Sequence, residues 1–197
     1  MSDTFDPQMP VQERAAHLLV TPGALVQLSL PDAREVVRYM QPCRIDADTT
    51  IFRAGDATDV DYMMLVIDGD VTVESQASPT SEGLVVTVLG PGSLIGEMGL
   101  IDGSPRSATC VAATDLSAGR LSREALARLM QEQPGVAARL LLAISKRLSD
   151  HLREANRKLM TFTQVSRALQ QELDVAHAIN RRLLEPKGRS GPLNGPR

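Results

Sequence analysis

One carboxylate and one guanidinium stand nine residues apart in an otherwise small and apolar stretch. The stretch is Gly96-Glu97-Met98-Gly99-Leu100, followed within one loop by Pro105-Arg106-Ser107-Ala108. A buried carboxylate and a buried arginine are costly unless each has a partner. If the segment folds inward, the two charges suit a ligand with an anion at one end and hydroxyls at the other. A ribose phosphate has that pattern. The bland alternative is a structural ion pair under the rim of a β-structure. Arg106 is the only basic residue between Arg53 and Arg120, so a solvated basic face does not account for it. Ser107 has no neighbouring His in sequence, and no nucleophile–base pair stands out elsewhere. The chain is not expected to be an enzyme. His17, His151 and His177 are isolated, and Cys43 and Cys110 belong to no CxxC or Cys/His cluster. No metal site is expected. The two cysteines read as buried free thiols of a reducing, cytoplasmic compartment.

The elements that must position these residues change character along the chain. Residues 1–23 read as an N-terminal arm, with 1–15 mobile. Short helical stretches are expected at Ala24–Leu28 and Pro31–Met40, where Pro31 suits a first turn and Asp32 and Glu35 favour the positive end of the helix dipole. From Gln41 to about Arg120 the pattern is short strands and turns. Strands are expected at Cys43–Ile45, Thr49–Arg53, Asp61–Ile67, Val71–Glu74, Leu84–Leu89 and Thr109–Ala113. Asp68-Gly69 is a tight-hairpin signal, Ser75 to Gly83 a polar loop, and Gly90-Pro91-Gly92 a turn. Turns at such regular spacing predict an antiparallel sandwich or barrel. Leu94 to Leu100 interrupts it, being too Gly-rich for a good strand and too short for a long helix.

After Ser122, a suitable N-cap, the character is helical. Pro134-Gly135 breaks the helix, and no Pro or Gly follows from Val136 to Leu184. That segment carries a heptad. Leu141, Leu148, Ala155, Phe162, Leu169, Ala176 and Leu183 are each seven apart and form the d series. Ser145, Leu152, Leu159, Ser166, Leu173 and Asn180, four residues after successive members, form the a series. Asn180 is a polar a position of the kind that fixes register. The start of the stripe, up to about Leu148, is expected to pack on its own domain. The remainder is too long for that, since 49 helical residues span roughly 70 Å at 1.5 Å each. A parallel homodimer through residues 136–184 follows. Residues 185–197 are rich in Gly, Pro and Arg and read as a disordered tail.

Composition narrows the partners. Aromatic residues make up 3% of the 197, with no Trp, which argues against stacking on single-stranded nucleic acid. No apolar run approaches the roughly 18 residues that cross a bilayer, and the polar, acidic Met1 to Pro10 is no secretory signal. The net charge of −3 hides an asymmetry: residues 1–120 carry 7 Arg, no Lys and 17 acids, while residues 121–197 carry 14 basic and 7 acidic residues. The second half is therefore a possible nucleic-acid surface, but its charges are mixed with acids along a helix, the usual solvated pattern. Binding of nucleic acid or membrane is not expected.

Residues 24 to about 150 resemble the cyclic nucleotide-binding domain of the catabolite activator protein (Crp/Fnr) superfamily and of cyclic-nucleotide-dependent kinases and channels. The resemblance rests on the turn Ile51-Phe52-Arg53-Ala54-Gly55-Asp56, the Asp68-Gly69 hairpin, Gly90-Pro91-Gly92, and above all the cassette from Gly96 to Ala108. It implies an α+β, mainly β fold: a jelly-roll-like antiparallel β-barrel over 24–135 with flanking helices and the long C-terminal coiled-coil helix. It implies cAMP or cGMP as ligand, contacted by Gly96, Glu97, Met98, Arg106 and Ser107, with Val86 and Thr87 near the base. The residue types suit those roles. Gly96 would let the backbone approach a ligand, and a short helix starting there would aim N–H groups at an anion. Arg106 would grip the cyclic phosphate with a charge-assisted fork, Ser107 would add its hydroxyl and N–H, and Glu97 would accept the ribose 2′-OH. In the empty pocket Glu97 could pair with Arg106.

Two departures qualify the resemblance. Transcription factors of that superfamily place a hydroxyl pair on the long helix against adenine, and the corresponding positions here fall on His151 and Leu152. They also follow the long helix with a helix-turn-helix domain, whereas 13 residues follow Leu184. The expected protein is a cytoplasmic cyclic nucleotide sensor, with cAMP favoured, that signals through a coiled-coil dimer to an unidentified protein. The alternatives are a ligand-free dimeric scaffold, or a DNA-associated regulator without its own helix-turn-helix.

Overall fold

The run Tyr62-Met63-Met64-Leu65-Val66-Ile67 lacks the polar alternation of a half-exposed strand, and the reason is that both of its faces are covered. In the computed structural model, which describes residues 9–75 and 84–184, it forms strand β3, Tyr62–Asp68. Met63, Leu65 and Ile67 face a core shared with helices, while Met64 and Val66 face a second core between two sheets. The other strands are β1 (Gln41–Ile45), β2 (Thr50–Phe52), β4 (Val71–Ser75), β5 (Leu84–Leu89), β6 (Leu94–Ile95), β7 (Thr109–Ala112) and β8 (Leu116–Ser122). They form two four-stranded sheets, ordered β1-β8-β3-β6 and β2-β7-β4-β5, with every pairing antiparallel. The inter-sheet core takes Phe52, Val71, Ile95, Cys110, Ala112, Leu116 and Ala118 from five strands besides Met64 and Val66 of β3. The expected antiparallel β architecture with flanking helices is therefore present.

The helices are α1 (Val11–Leu19), α2 (Leu30–Arg38), α3 (Glu97–Asp102), α4 (Arg123–Glu132) and α5 (Pro134–Leu184). Helix α1 corrects the expected arm: Ala15, Ala16, Leu18 and Leu19 are buried in the helical core. Its signal is faint, because Pro10 offers no side-chain cap and two of the four buried residues are alanines. Residues 24–28 form successive turns rather than a helix, yet Ala24, Leu25 and Leu28 are buried. Ser29 caps α2, accepting from the Asp32 N–H at 3.3 Å, and Pro31 sits in its first turn. Ser122 caps α4 as expected, accepting from the Ala125 N–H at 3.1 Å. The break falls at Gln133, the last cap of α4, and Pro134 opens α5 rather than interrupting it. The positions before a helix's first hydrogen bonds need no N–H, which suits proline there.

The chain divides into two compact units, the first ending at Leu148 and the second beginning at Ser149. In the first, α5 contributes Val136, Ala137, Leu140, Ala143 and Ile144 to the helical core, with Leu141 and Leu148 partly buried against it. The stripe thus packs on its own domain at the start, as expected. In the second unit the heptad residues Leu152, Leu159, Phe162, Leu169 and Leu173 are exposed, Phe162 at 72%. The expected tail, 185–197, and most of the expected polar loop lie outside the described residues.

Candidate functional site

The segment from Gly96 to Ser107 is built around a left-handed turn. Gly96 has φ 77° and ψ 12° and caps the start of α3. A β-carbon there would lie 2.6 Å from Arg106 Nη1 and 2.8 Å from Phe52 Cζ. The space that glycine leaves is therefore filled by this chain's own guanidinium and phenyl ring. At Gly99 a β-carbon would meet the Val60 carbonyl oxygen at 2.6 Å, so α3 lies directly against the chain leading into β3. Helix α3 ends on Gly103, also left-handed at φ 70°. Arg123 stabilises that end, donating to the carbonyls of Gly99 at 2.8 Å and Leu100 at 3.2 Å, where the helix dipole favours a cation.

Arg106 is 6% exposed. Its backbone is clamped by the turn after β2: the Arg106 N–H donates to Asp56 at 2.9 Å, and the Gly55 N–H donates to Arg106 at 2.8 Å. Its guanidinium turns inward. Nη1 donates to the carbonyls of Tyr62 at 3.0 Å and Gly96 at 3.2 Å, and Nη2 to that of Asp59 at 2.5 Å. The guanidinium carbon lies 3.8 Å from the Phe52 ring centroid and 4.7 Å from that of Tyr62. Burial lowers the proton affinity of Arg106, and it raises that of the Tyr62 hydroxyl. Carbonyl dipoles and aromatic faces thus take the place of a counter-ion.

Glu97 is 7% exposed at the first position of α3. The expected pairing with Arg106 does not occur. Glu97 Oε1 instead lies 3.8 Å from Nε of Arg147, on α5. Arg147 also donates to the carbonyls of Gly23, of Ala24 at 3.4 Å and of Leu94 at 3.3 Å. Burial lowers the proton affinity of Arg147 and the Glu97 charge partly restores it. Cys110 is a buried thiol pushed up to about 11 by burial and, secondarily, by Glu97, which leaves it unreactive. Cys43, only half buried on β1, departs from the expected pair of buried thiols.

Of the other expected site residues, Met98 is 48% exposed and Ser107 is exposed beside it, with Oγ 3.8 Å from the Met98 sulfur. Gly96, Glu97, Met98, Arg106 and Ser107 therefore lie in one cluster. Val86 and Thr87 are on β5, the edge strand two places from β7, where Thr87 pairs with Val73 and is exposed; the Val86 side chain lies outside the described residues. Sequence reasoning missed Arg147, Arg123 and the ring of Tyr62. Phe52 stood inside the turn motif, but nothing in the sequence ties Arg147 to Glu97 fifty residues earlier.

The cluster comprises a left-handed glycine, a buried acid at a helix start and an inward arginine held by a turn between strands. The family model described as the cyclic nucleotide-binding domain matches residues 42–133. Over those residues the chain is similar to a cyclic nucleotide-binding domain. It is similar to known regulators over more than the matched stretch. The chain is 28% identical over 160 residues to the CRP-like cAMP-activated global transcriptional regulator of Mycobacterium tuberculosis, covering 80% of this chain and 65% of that protein. It is similar to the crystal structure of a cyclic nucleotide-binding domain from Methylobacillus flagellatus, with a TM-score of 0.63, 29% identity, and coverage of 76% and 82% of the two chains. It is also similar to the regulatory domain of Toxoplasma gondii PKA solved with cAMP, with a TM-score of 0.52, 27% identity, and coverage of 59% and 43%. The chain spans less than two thirds of the length of the curated relatives it matches. None of the described helices is long and apolar enough to cross a membrane.

Proposed function

We propose that this chain is a sensor that binds a cyclic mononucleotide, cAMP in preference to cGMP, between Glu97 and Arg106, and reports occupancy through α5 in a parallel homodimer. The observation that carries this reading is the buried acid of Glu97 shared with Arg147 of α5. Glu97 would accept the ribose 2′-OH, and its tie to Arg147 would then change. Arg147 also holds the carbonyls of Gly23, Ala24 and Leu94, so a shift there reaches both the turn before α2 and the last residues of α5 in the first unit. At the other end, the cyclic phosphate would draw on Arg106, Ser107 and the N–H groups that open α3. The similar cAMP-activated mycobacterial regulator and the cAMP complex of the similar PKA regulatory domain support cAMP as the ligand. A ligand shifts such an equilibrium only by its difference in affinity between the two states. The exposed d and a residues of α5 support the dimer, since a strict a/d stripe is the seam of a coiled coil.

A second reading is favoured by one observation. Both terminal nitrogens of the Arg106 guanidinium already donate to carbonyls, and Nε alone is buried without a hydrogen-bond partner among the described residues, much as in a ligand-free scaffold whose pocket has become structural. Calorimetric titration of the full chain with cAMP and with cGMP separates the two. Heat of binding with a preference for cAMP is expected. No binding of either nucleotide at millimolar concentration would overturn the sensor and leave the scaffold.

A further inference from the structure

We propose that α5 carries a second helix-docking seam, beside the a/d seam, by which two homodimers join antiparallel into an assembly of four chains. This rests on the parallel homodimer proposed above. Thr161, Val165, Ala168, Glu172, Val175 and Ile179 are spaced four and three residues apart in turn, a heptad series of their own at the c and g positions. Val165, Val175 and Ile179 are each more than half exposed in this unit. A strict a/d seam covers one narrow stripe, whereas an apolar face widened to g is the mark of a helix packed in a larger bundle. The widening is one-sided: the e positions Thr163, Gln170 and His177 are polar.

The flank forms two shallow grooves. Glu154, Arg157, Lys158, Thr161, Phe162 and Val165 line the first. The second is lined by the residues fourteen positions later, Ala168, Gln171, Glu172, Val175, Ala176 and Ile179. The first carries an excess of one positive charge and the second a single negative one. A parallel pairing would set each groove on its own copy, like charge on like. An antiparallel two-fold midway between residues 166 and 167 sets the first groove on the second, placing Lys158 opposite Val175 and within a turn of Glu172. Such a contact is self-complementary, as a two-fold interface requires. The present ion pair of Lys158 with Glu154, 2.8 Å, is exposed and of the kind that contributes little, so its exchange is not an obstacle.

Sedimentation velocity of the full chain tests this. The expected mass is that of four copies of the 21.3 kDa chain. Glu172→Lys should reduce it to two copies, and Lys158→Glu with Glu172→Lys should bring back four. Circular dichroism of each variant checks that the helix is retained. Two copies for the unaltered chain would overturn the second seam alone, and one copy would overturn the homodimer as well. Four copies for Glu172→Lys would overturn the charge-selected antiparallel arrangement.

Discussion

Replacing Gly96 with alanine tests the packing of the site directly. Two costs add. A left-handed backbone costs a residue with a β-carbon about 1–2 kcal/mol. The new methyl would also lie 2.6 Å from Arg106 Nη1 and 2.8 Å from Phe52 Cζ. Neither can withdraw freely, because Nη1 is bonded to the Tyr62 and Gly96 carbonyls and Phe52 is buried between the sheets. Overpacking of that kind costs about 1–3 kcal/mol. The sum, roughly 2–5 kcal/mol, is a large fraction of the ~5–15 kcal/mol that holds a domain folded. At about 3–4 °C per kcal/mol for a domain of this size, the ligand-free protein should melt roughly 6–20 °C lower. Gly55→Ala supplies the control. Gly55 has φ 85° with no atom within 4 Å of the β-carbon position, so it carries the backbone cost alone and should lose roughly 3–8 °C. Scanning calorimetry of the two variants isolates the crowding as their difference. Equal melting temperatures would refute the claim that Arg106 and Phe52 fill the space beside Gly96.

Arg106→Ala should weaken cAMP by about 1.5–3 kcal/mol, or ~10- to 150-fold, the scale of a charged hydrogen bond; an unchanged affinity by calorimetry removes Arg106 from the site. Arg147→Gln should keep cAMP affinity within about tenfold, less than ~1.4 kcal/mol, while abolishing the ligand-dependent change in distance between spin labels on the two α5 helices. A change as large as in the unaltered protein would exclude Arg147 from the route. Acid stability has a separate origin. The Arg139 guanidinium, bonded to Asp32 at 2.7 and 2.8 Å, holds that carboxyl below its ordinary 3.8 despite burial, with Ser29 assisting. A carboxyl lowered in the folded state adds stability that is present above 3.8 and lost as pH falls through the lowered value. Asp32→Asn should therefore flatten the acid limb of the unfolding curve below 3.8, and an identical limb would show that the pair is not the cause.

What was legible in the sequence follows local rules. The Ser122 cap and strand Leu84–Leu89 are set by residues within a few positions of one another, whereas the expected hairpin at Asp68-Gly69 is instead a turn between the two sheets, since β3 pairs with β6 and β8 and β4 with β5 and β7. The heptad of α5 is a periodic signal, and its first d members, Leu141 and Leu148, are partly buried where the helix meets the helical core. Strand β8 escaped because its sequence, Leu-Ser-Ala-Gly-Arg-Leu-Ser, mixes small and polar residues with a glycine. Its place beside β3 depends on partners fifty residues away: Leu65 opposite Gly119 and Met63 opposite Leu121. The cassette was legible as two charges that need partners. Which partners they take was not, because Arg147 reaches Glu97 only through the packing of α5, and the carbonyls of Asp59 and Tyr62 carry no residue-specific signal.

The observed partners bear on how a ligand could act. Had Glu97 and Arg106 paired with each other, an incoming ribose phosphate would have separated a single ion pair inside the site. They instead have separate surroundings: the terminal nitrogens of the arginine donate to carbonyls beside two rings, and the acid lies beside a cation on α5. A ligand drawing on Arg106 competes with the Tyr62, Gly96 and Asp59 carbonyls, which lie at the start of β3 and of α3, so that exchange remains local to the sheet and its adjoining turn. A ligand drawing on Glu97 competes with Arg147, whose other bonds run to the turns before α2 and to β6. In the proposed sensor, coupling to the long helix would thus belong to the ribose end of the site. Removing the 2′-hydroxyl from the nucleotide should uncouple binding from the response of α5, whereas weakening the phosphate grip through Arg106 should lower affinity and leave the response at saturation intact.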